Sequence, residues 1–203
     1  EHYHLDVAIA DVSHWVKPRT ALDQAARERG NSVYLPDRVL PMLPEILSND
    51  VCSLRPDQER FAFVCRMTFD QEGNLQDSQF VTGTICSAAR LTYQEASNHL
   101  MGIRPLSSRI SDKVRHNLEL LHVLAQKLTD RRLKSGGVEF SFPETQTTYR
   151  DDGWLSDIKH IDRPVATLII EECMLAANVC AAQCLQKSLP VAIYRIHGAP
   201  DSD

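Results

Sequence analysis

The distribution of apolar positions along the chain predicts strands first. Leu5–Asp11 alternates its side chains between two faces, which is typical of a strand with one buried face. Phe61–Phe69 and Leu75–Cys86 are rich in β-branched and aromatic residues and flank a turn at Asp70–Asn74, so they predict a hairpin. Four more segments have strand-like patterns: Val138–Phe142, Thr145–Arg150, Trp154–Ile161 and Pro190–His197. The second and third of these flank a turn at 151–153, so they predict another hairpin.

Four segments carry helical patterns: Ala21–Arg29, Tyr93–Met101, Leu106–Ser135 and Val165–Lys187. Thr20 is placed to cap the first and Gly30 to end it. The third has apolar residues at steps of three or four and ends at Gly136-Gly137. Helices and hairpins are mixed along the chain, which favours an α+β fold with a mostly antiparallel sheet packed against long helices. We expect one domain, or part of one, over residues 1–203.

A proline-rich segment follows the first helix. Tyr34 lies in an extended run, and Pro36, Pro41 and Pro44 follow it within ten residues. Because proline fixes φ and lacks a backbone donor, this segment is neither a helix nor a central strand. We expect a stiff surface path that holds Tyr34 in place.

The last predicted helix is apolar on nearly every side and should therefore be buried. Only Glu171, Glu172 and Asn178 are polar among the fifteen residues 168–182. Glu171 and Asn178 are two turns apart and face the same way. A buried carboxylate is costly unless it is paired, so we expect a polar partner for Glu171. That partner is either a group of the protein, such as an arginine or a backbone amide, or a hydroxyl group of a ligand.

The composition, with 43% hydrophobic and 24% charged residues, suits a globular domain. No run of about 18 apolar residues and no signal peptide are visible, so we expect no membrane segment. Six cysteines lie in apolar segments without CxxC spacing, and we expect reduced, buried thiols in a cytoplasmic protein. His2 and His4 form a weak metal-binding pattern, which a solvated strand face explains better.

The net charge of −5 argues against a protein that binds nucleic acid with its whole surface. Residues 104–134, however, carry eight basic and three acidic side chains, whereas the rest of the chain has a net charge of −10. A helix face that contacts phosphates and an ordinary solvated face explain this equally well.

Three sequence patterns are similar to one enzyme family: the segment 7–16, the segment 30–44, and Ile-Glu-Glu-Cys-Met-Leu-Ala-Ala-Asn at 170–178. The chain resembles the catalytic RNB domain of the exoribonucleases that include ribonuclease II and ribonuclease R. The motifs in segments 7–16 and 30–44 are closer to those of ribonuclease R. The resemblance implies processive hydrolysis of single-stranded RNA from its 3′ end, and it covers essentially all 203 residues.

The resemblance also implies roles for four residues. Glu171 contacts the ribose of the 3′-terminal nucleotide, which helps to select RNA over DNA, and Tyr93 assists at the same end. Tyr34 and Phe140 clamp a stack of bases, an interaction that tolerates any sequence. From the residues alone, core packing is the simpler explanation for Tyr93 and for Phe140.

The family holds Mg²⁺ with aspartates that precede the segment starting at Ala8, and it uses an arginine well past His197. We expect neither these aspartates nor this arginine within residues 1–203, and hence no catalytic residue and no metal ligand. The resemblance still implies that the intact enzyme uses Mg²⁺. Asp11 orders the following turn rather than binding metal. Ser13, His14, Arg38 and the segment 195–197 also match family patterns, without a chemical role that the sequence assigns.

The sequence therefore predicts part of a metal-dependent 3′→5′ exoribonuclease, a monomer whose partner is single-stranded RNA rather than DNA. The span alone should bind RNA weakly without cutting it. Two alternatives stay open: a non-catalytic RNA-binding module, or an interaction scaffold with the same fold.

Overall fold

The computed structural model describes residues 2–35, 38–138, 144–150, 154–161 and 163–194. Every pairing between its strands is antiparallel, so the α+β class is confirmed. In chain order the elements are β1 (Tyr3–Ala10), α1 (Val12–Trp15), α2 (Ala21–Arg29), β2 (Val33–Tyr34), β3 (Val39–Leu40), a π-helical turn (Ile46–Val51), β4 (Glu59–Phe69), β5 (Leu75–Cys86), α3 (Tyr93–Leu100), α4 (Asp112–Lys134), β6 (Glu144–Tyr149), β7 (Leu155–Ile161) and α5 (Val165–Ser188).

The main sheet has three strands in the order β1-β4-β5. Val7 lies opposite Cys65, which lies opposite Phe80 on the third strand. The turn between β4 and β5 contains Gly73 at φ +79°, a conformation that glycine adopts without strain. This is the hairpin that the sequence predicted.

One face of this sheet carries the core against the helices. Leu5, Val7, Cys65, Met67 and Phe69 are each at most 9% exposed, and they form one cluster with buried residues of α3, α4 and α5. The alternation along β1 and β4 puts them on a common face. The same face continues past the helices to exposed residues such as Ile9, Phe61 and Phe63.

The long helix α5 packs against α3 and α4 and also contacts β1 and β4. Its N-cap residue, Pro164, provides no side-chain cap. The buried Ser97 of α3 replaces it, because its hydroxyl oxygen accepts a hydrogen bond from the backbone N–H of Ala166 at 3.0 Å. The orientation of α3 is thus tied to the first turn of α5.

Among the described residues, α5 is also the one helix long and apolar enough to cross a membrane, with a mean hydropathy of 1.6 over 18 residues. A helix in the core of a domain meets the same criterion. It contacts two helices and two strands, but only 33% of that window is buried, so the expectation that this helix is buried is wrong. The expectation that no segment crosses a membrane stays a prediction.

Two predicted elements differ from the structure. The helix predicted over Leu106–Ser135 begins at Asp112, because the Ser111 hydroxyl accepts a hydrogen bond from the Val114 N–H and caps it there. Leu106 and Ile110 continue the apolar pattern outside the helix, where they still pack on the core.

The strand predicted at Pro190–His197 is not found in residues 190–194, where Ile193 is 98% exposed. The rest of that segment, 195–197, lies outside the described residues, as do Phe140 and most of the strand predicted over Val138–Phe142. Tyr34, as expected, lies in neither a helix nor a central strand, since β2 and β3 form a separate two-stranded ladder.

Candidate nucleic-acid interface

Tyr34 presents its ring to solvent from a fixed backbone. The residue is 79% exposed. Beside it, the Leu35 N–H donates to the Arg38 carbonyl at 2.8 Å, and the Met42 N–H donates to the Ser32 hydroxyl at 2.9 Å. An exposed aromatic ring on an ordered backbone can stack on a nucleic-acid base.

Tyr93 opens α3 and is 48% exposed, so it is not the buried core residue that the sequence alone would suggest. A capping box fixes this helix end: the Thr92 hydroxyl accepts from the Glu95 N–H, and the Glu95 carboxylate accepts from the Thr92 N–H at 2.9 Å. The backbone hydrogen bond from Thr92 holds the pKa of Glu95 below its ordinary value. The capping box thus fixes the backbone of the turn that carries Tyr93.

Glu171 is not the buried carboxylate of α5, and the expectation that it is buried is wrong. Its side chain is 37% exposed and forms an ion pair with Arg163, which precedes the helix. Of the two partners that the sequence left open, the structure contains the arginine. The remaining exposure leaves the carboxylate accessible from solvent.

The buried carboxylate is the next residue, Glu172, which is 3% exposed. Its Oε1 accepts hydrogen bonds from the Thr129 hydroxyl at 2.9 Å and from Nε and Nη2 of Arg132 at 3.0 and 2.7 Å. Sequence periodicity missed it, because a helix that is apolar on every side does not show which of two adjacent glutamates faces inward. The sequence signal that could have identified a partner for a buried carboxylate is the pair Thr129 and Arg132, two donors that lie three residues apart on one side of α4.

The basic segment 104–134 is not a uniform solvated face. Arg132 reaches inward to Glu172, and Arg115 pairs with Asp112 on its own helix. Lys127 and Arg131 lie beside Gly73 in the turn between β4 and β5. Part of the local positive charge therefore serves contacts within the fold.

Asp11 orders the turn after β1, as the sequence predicted. Its carboxylate accepts from the Ser13 hydroxyl at 2.5 Å and from the His14 N–H at 3.1 Å, which caps α1. The bond from Ser13 is the main reason why the pKa of Asp11 is lowered. The His14 ring stacks on Phe61 with 4.0 Å between centroids.

All six cysteines are free, but only Cys65, Cys173 and Cys180 are buried. Burial raises the pKa of Cys65 and of Cys173 to about 11, so these thiols stay protonated. Cys86 ends β5 and Cys184 lies near the end of α5, and both are exposed, contrary to expectation.

His4 contacts the Thr68 hydroxyl through Nδ1 at 3.3 Å. No group of three or more potential metal ligands is found among the residues that the structure describes.

The model of the RNB domain family matches residues 1–203. The chain belongs to this family. It is 42% identical to ribonuclease R of Vibrio parahaemolyticus over 98% of its own length, and 41% identical to ribonuclease R of Escherichia coli over 99%. It spans about a quarter of the length of these curated relatives, 24% and 25%.

A solved structure agrees with the sequence relatives. The chain is similar to Mycoplasma genitalium RNase R in complex with ribose-methylated single-stranded RNA, with a TM-score of 0.86 and 32% identity. This match covers 91% of the chain and 28% of that protein. The resemblance to the RNB-domain exoribonucleases is thereby confirmed.

Within this RNB fold, two of the four candidate residues lie on connected helices. Tyr93 is one helical turn before Ser97, which bonds to Ala166, and Ala166 is just over one turn before Glu171. Tyr34 lies on the separate β2–β3 ladder, and Phe140 is outside the described residues. Sequence reasoning missed Ser97 and Glu172, because both act through partners that are distant along the chain.

Proposed function

We propose that this chain is part of a metal-dependent 3′→5′ exoribonuclease of the ribonuclease R type, which hydrolyses single-stranded RNA. The RNB match over the whole chain and the identity of about 41% to ribonuclease R support this. RNase R of Mycoplasma genitalium has been solved with single-stranded and with double-stranded RNA, which supports RNA as the partner.

The observation that carries the residue roles is the connection between α3 and α5. The Ser97–Ala166 hydrogen bond ties the helix that presents Tyr93 to the helix that presents Glu171, and both side chains are accessible. A carboxylate can accept a hydrogen bond from the ribose 2′-hydroxyl, a donor that DNA lacks. We propose that Glu171 and Tyr93 contact the 3′-terminal sugar of the RNA.

Tyr34 is proposed to stack on a base further along the RNA, since its ring is exposed and its backbone is fixed. Phe140 is proposed as the second ring of this clamp on the family resemblance alone. Stacking needs no particular base, which suits an enzyme that degrades RNA of any sequence.

The intact enzyme is proposed to use Mg²⁺, which activates water and stabilises the leaving oxygen in such hydrolysis. The described residues do not fit this ion, since they contain no cluster of three or more ligand side chains. We therefore assign no catalytic step to them, and we propose that this span binds RNA weakly without cutting it.

Labelled RNA tests this proposal directly. Fluorescence anisotropy of a single-stranded oligoribonucleotide should show binding by the purified chain that weakens as salt rises. The same chain should release no nucleotides in the presence of Mg²⁺. Release of nucleotides from the 3′ end would overturn the assignment of an inactive span, and the absence of RNA binding would favour an interaction scaffold.

We further propose a monomeric protein of the cytoplasm, without DNA as a partner. The three buried thiols fit a reducing compartment.

A further inference from the structure

The apolar residues of α5 do not explain which side of the helix faces the core. The buried apolar residues are mostly small: Ala166, Ile169, Cys173, Ala177 and Cys180. Larger ones on the same helix are exposed: Ile170, Leu175, Val179 and Leu185. Burial of apolar area is favourable in proportion to that area, so the observed rotation leaves part of the available apolar burial unused.

Packing around α5 is also incomplete. A cleft of about 410 Å³ lies beside Glu172, and its lining includes Leu128, Leu175 and Val179. Leu175 and Val179 already border this volume, so apolar packing does not fill the space beside Glu172. Apolar packing alone therefore does not determine the observed rotation of α5.

The hydrogen bonds of Glu172 favour the observed rotation of α5. This carboxylate is buried between α5 and α4, where Thr129 and Arg132 donate three hydrogen bonds to one of its oxygens. A buried carboxylate that loses its partners is strongly destabilising, so rotations that break these bonds are disfavoured. Buried ionic groups of this kind can select one arrangement among several of similar stability.

The rotation of α5 decides where Glu171 points. Consecutive residues of a helix are about 100° apart around its axis. With Glu172 against α4, Glu171 lies on the accessible side, together with Leu175 and Asn178, which are also exposed. A change of rotation by one residue would exchange the buried and the accessible carboxylate.

We propose that Glu172 is a positioning residue, whose bonds to Thr129 and Arg132 set the rotation of α5 and so direct Glu171 toward the terminal ribose. The inference rests on the proposed function of Glu171. Its first half, that the pair fixes the rotation, concerns the fold alone and is testable without RNA.

The test replaces the ion pair by apolar residues in the 203-residue chain, with Arg132→Met and Glu172→Leu together. Such replacements of a buried pair often preserve stability, which separates a loss of positioning from a loss of folding. The matched control is Arg115→Met with Asp112→Leu, which removes an ion pair on the outside of α4. Circular dichroism and urea denaturation establish that each variant is folded.

The first measurement is maleimide labelling of Cys173, which is 9% exposed. In the double variant we expect labelling at least about tenfold faster than in the wild type and the control, because rotation exposes the thiol to the reagent. Unchanged labelling in a folded double variant would overturn the proposal. If the double variant does not fold, Arg132→Met together with Glu172→Gln takes its place, because it removes both charges and keeps an acceptor for Thr129, and the same criterion applies.

The second measurement compares two oligonucleotides that differ only in whether the 3′-terminal sugar carries a 2′-hydroxyl. We expect the wild type and the control to prefer the hydroxyl by about tenfold, and Glu171→Ala and the double variant to lose this preference. If Glu171→Ala loses it and the double variant keeps it, the positioning role is wrong and the proposed function stands. If the wild type has no preference, or Glu171→Ala keeps it, the sugar contact of the proposed function is wrong as well.

Discussion

The hydroxyl oxygen of Ser97 accepts a hydrogen bond from the backbone N–H of Ala166 at 3.0 Å, although the two residues are 69 positions apart. Ser97 is 3% exposed and caps an α5 whose own N-cap residue is a proline. One buried side chain therefore completes the N-terminal end of α5 and connects it to the helix that carries Tyr93.

Loss of this cap should destabilise the chain measurably. Ser97→Ala leaves the Ala166 N–H without its partner in a buried position, and we expect the free energy of unfolding to fall by about 1–2 kcal/mol. Urea denaturation measures it, with Ser108→Ala in an exposed turn as the control that should change little. Equal stability of both variants would show that the cap contributes nothing.

The two adjacent glutamates of α5 should respond very differently to the same substitution. Glu172→Gln leaves the partly buried Arg132 without its counter-ion, and we expect a loss of about 3 kcal/mol. Glu171→Gln removes a half-exposed pair with Arg163, for which we expect less than about 1 kcal/mol. The free energies of unfolding from matched urea titrations check this, and a larger loss for Glu171→Gln would reverse the assignment of the buried carboxylate.

Sequence periodicity predicts local elements of this fold well and its helix rotations poorly. The hairpin of β4 and β5 follows from alternation around a turn with Asp70 and Gly73, which are local signals. The choice between Glu171 and Glu172 depends on Thr129 and Arg132 of another helix, which no pattern within α5 reports. The exposure of Tyr93 likewise depends on what packs nearby, so the family resemblance and not the pattern singled it out. The prolines after Tyr34, in contrast, are a local signal that predicted its place on the surface.

Acid should destabilise the chain through carboxylates that are hydrogen-bonded in the folded state. The pKa values of Asp11, Asp23 and Glu95 are lowered, chiefly by bonds from Ser13, the Arg19 backbone and the Thr92 backbone, respectively. A lowered pKa in the folded state means that this stabilisation is present above the ordinary values of 3.8 and 4.5 and is lost as pH falls through the folded values.

We therefore expect the free energy of unfolding to be nearly constant, as far as these groups are concerned, above about pH 5.5 and to fall below about pH 4.5. Thermal unfolding at a series of pH values measures the profile. Glu95→Gln should be less stable than the wild type at neutral pH, and the difference should shrink in acid. A difference that grows in acid would contradict the role of the capping box.

Tyr34→Ala should weaken RNA binding without destabilising the fold. A stacked base contributes about 1–3 kcal/mol, so we expect an affinity at least about fivefold lower. Because the ring is 79% exposed, the free energy of unfolding should change little. Fluorescence anisotropy checks the affinity, with Tyr34→Trp as the control that retains stacking; equal weakening by both variants would argue against a stacking role.

The central claim is that the 3′ end of an RNA strand lies between Tyr93 of α3 and Glu171 of α5. Photo-crosslinking with 4-thiouridine, placed either at the 3′-terminal position or near the 5′ end of one oligoribonucleotide, tests it most directly. The account predicts that the 3′-terminal label crosslinks to peptides containing Tyr93 or Glu171 and that the 5′ label does not. Crosslinks of the terminal label only to other segments, or the same crosslinks from both labels, would contradict it.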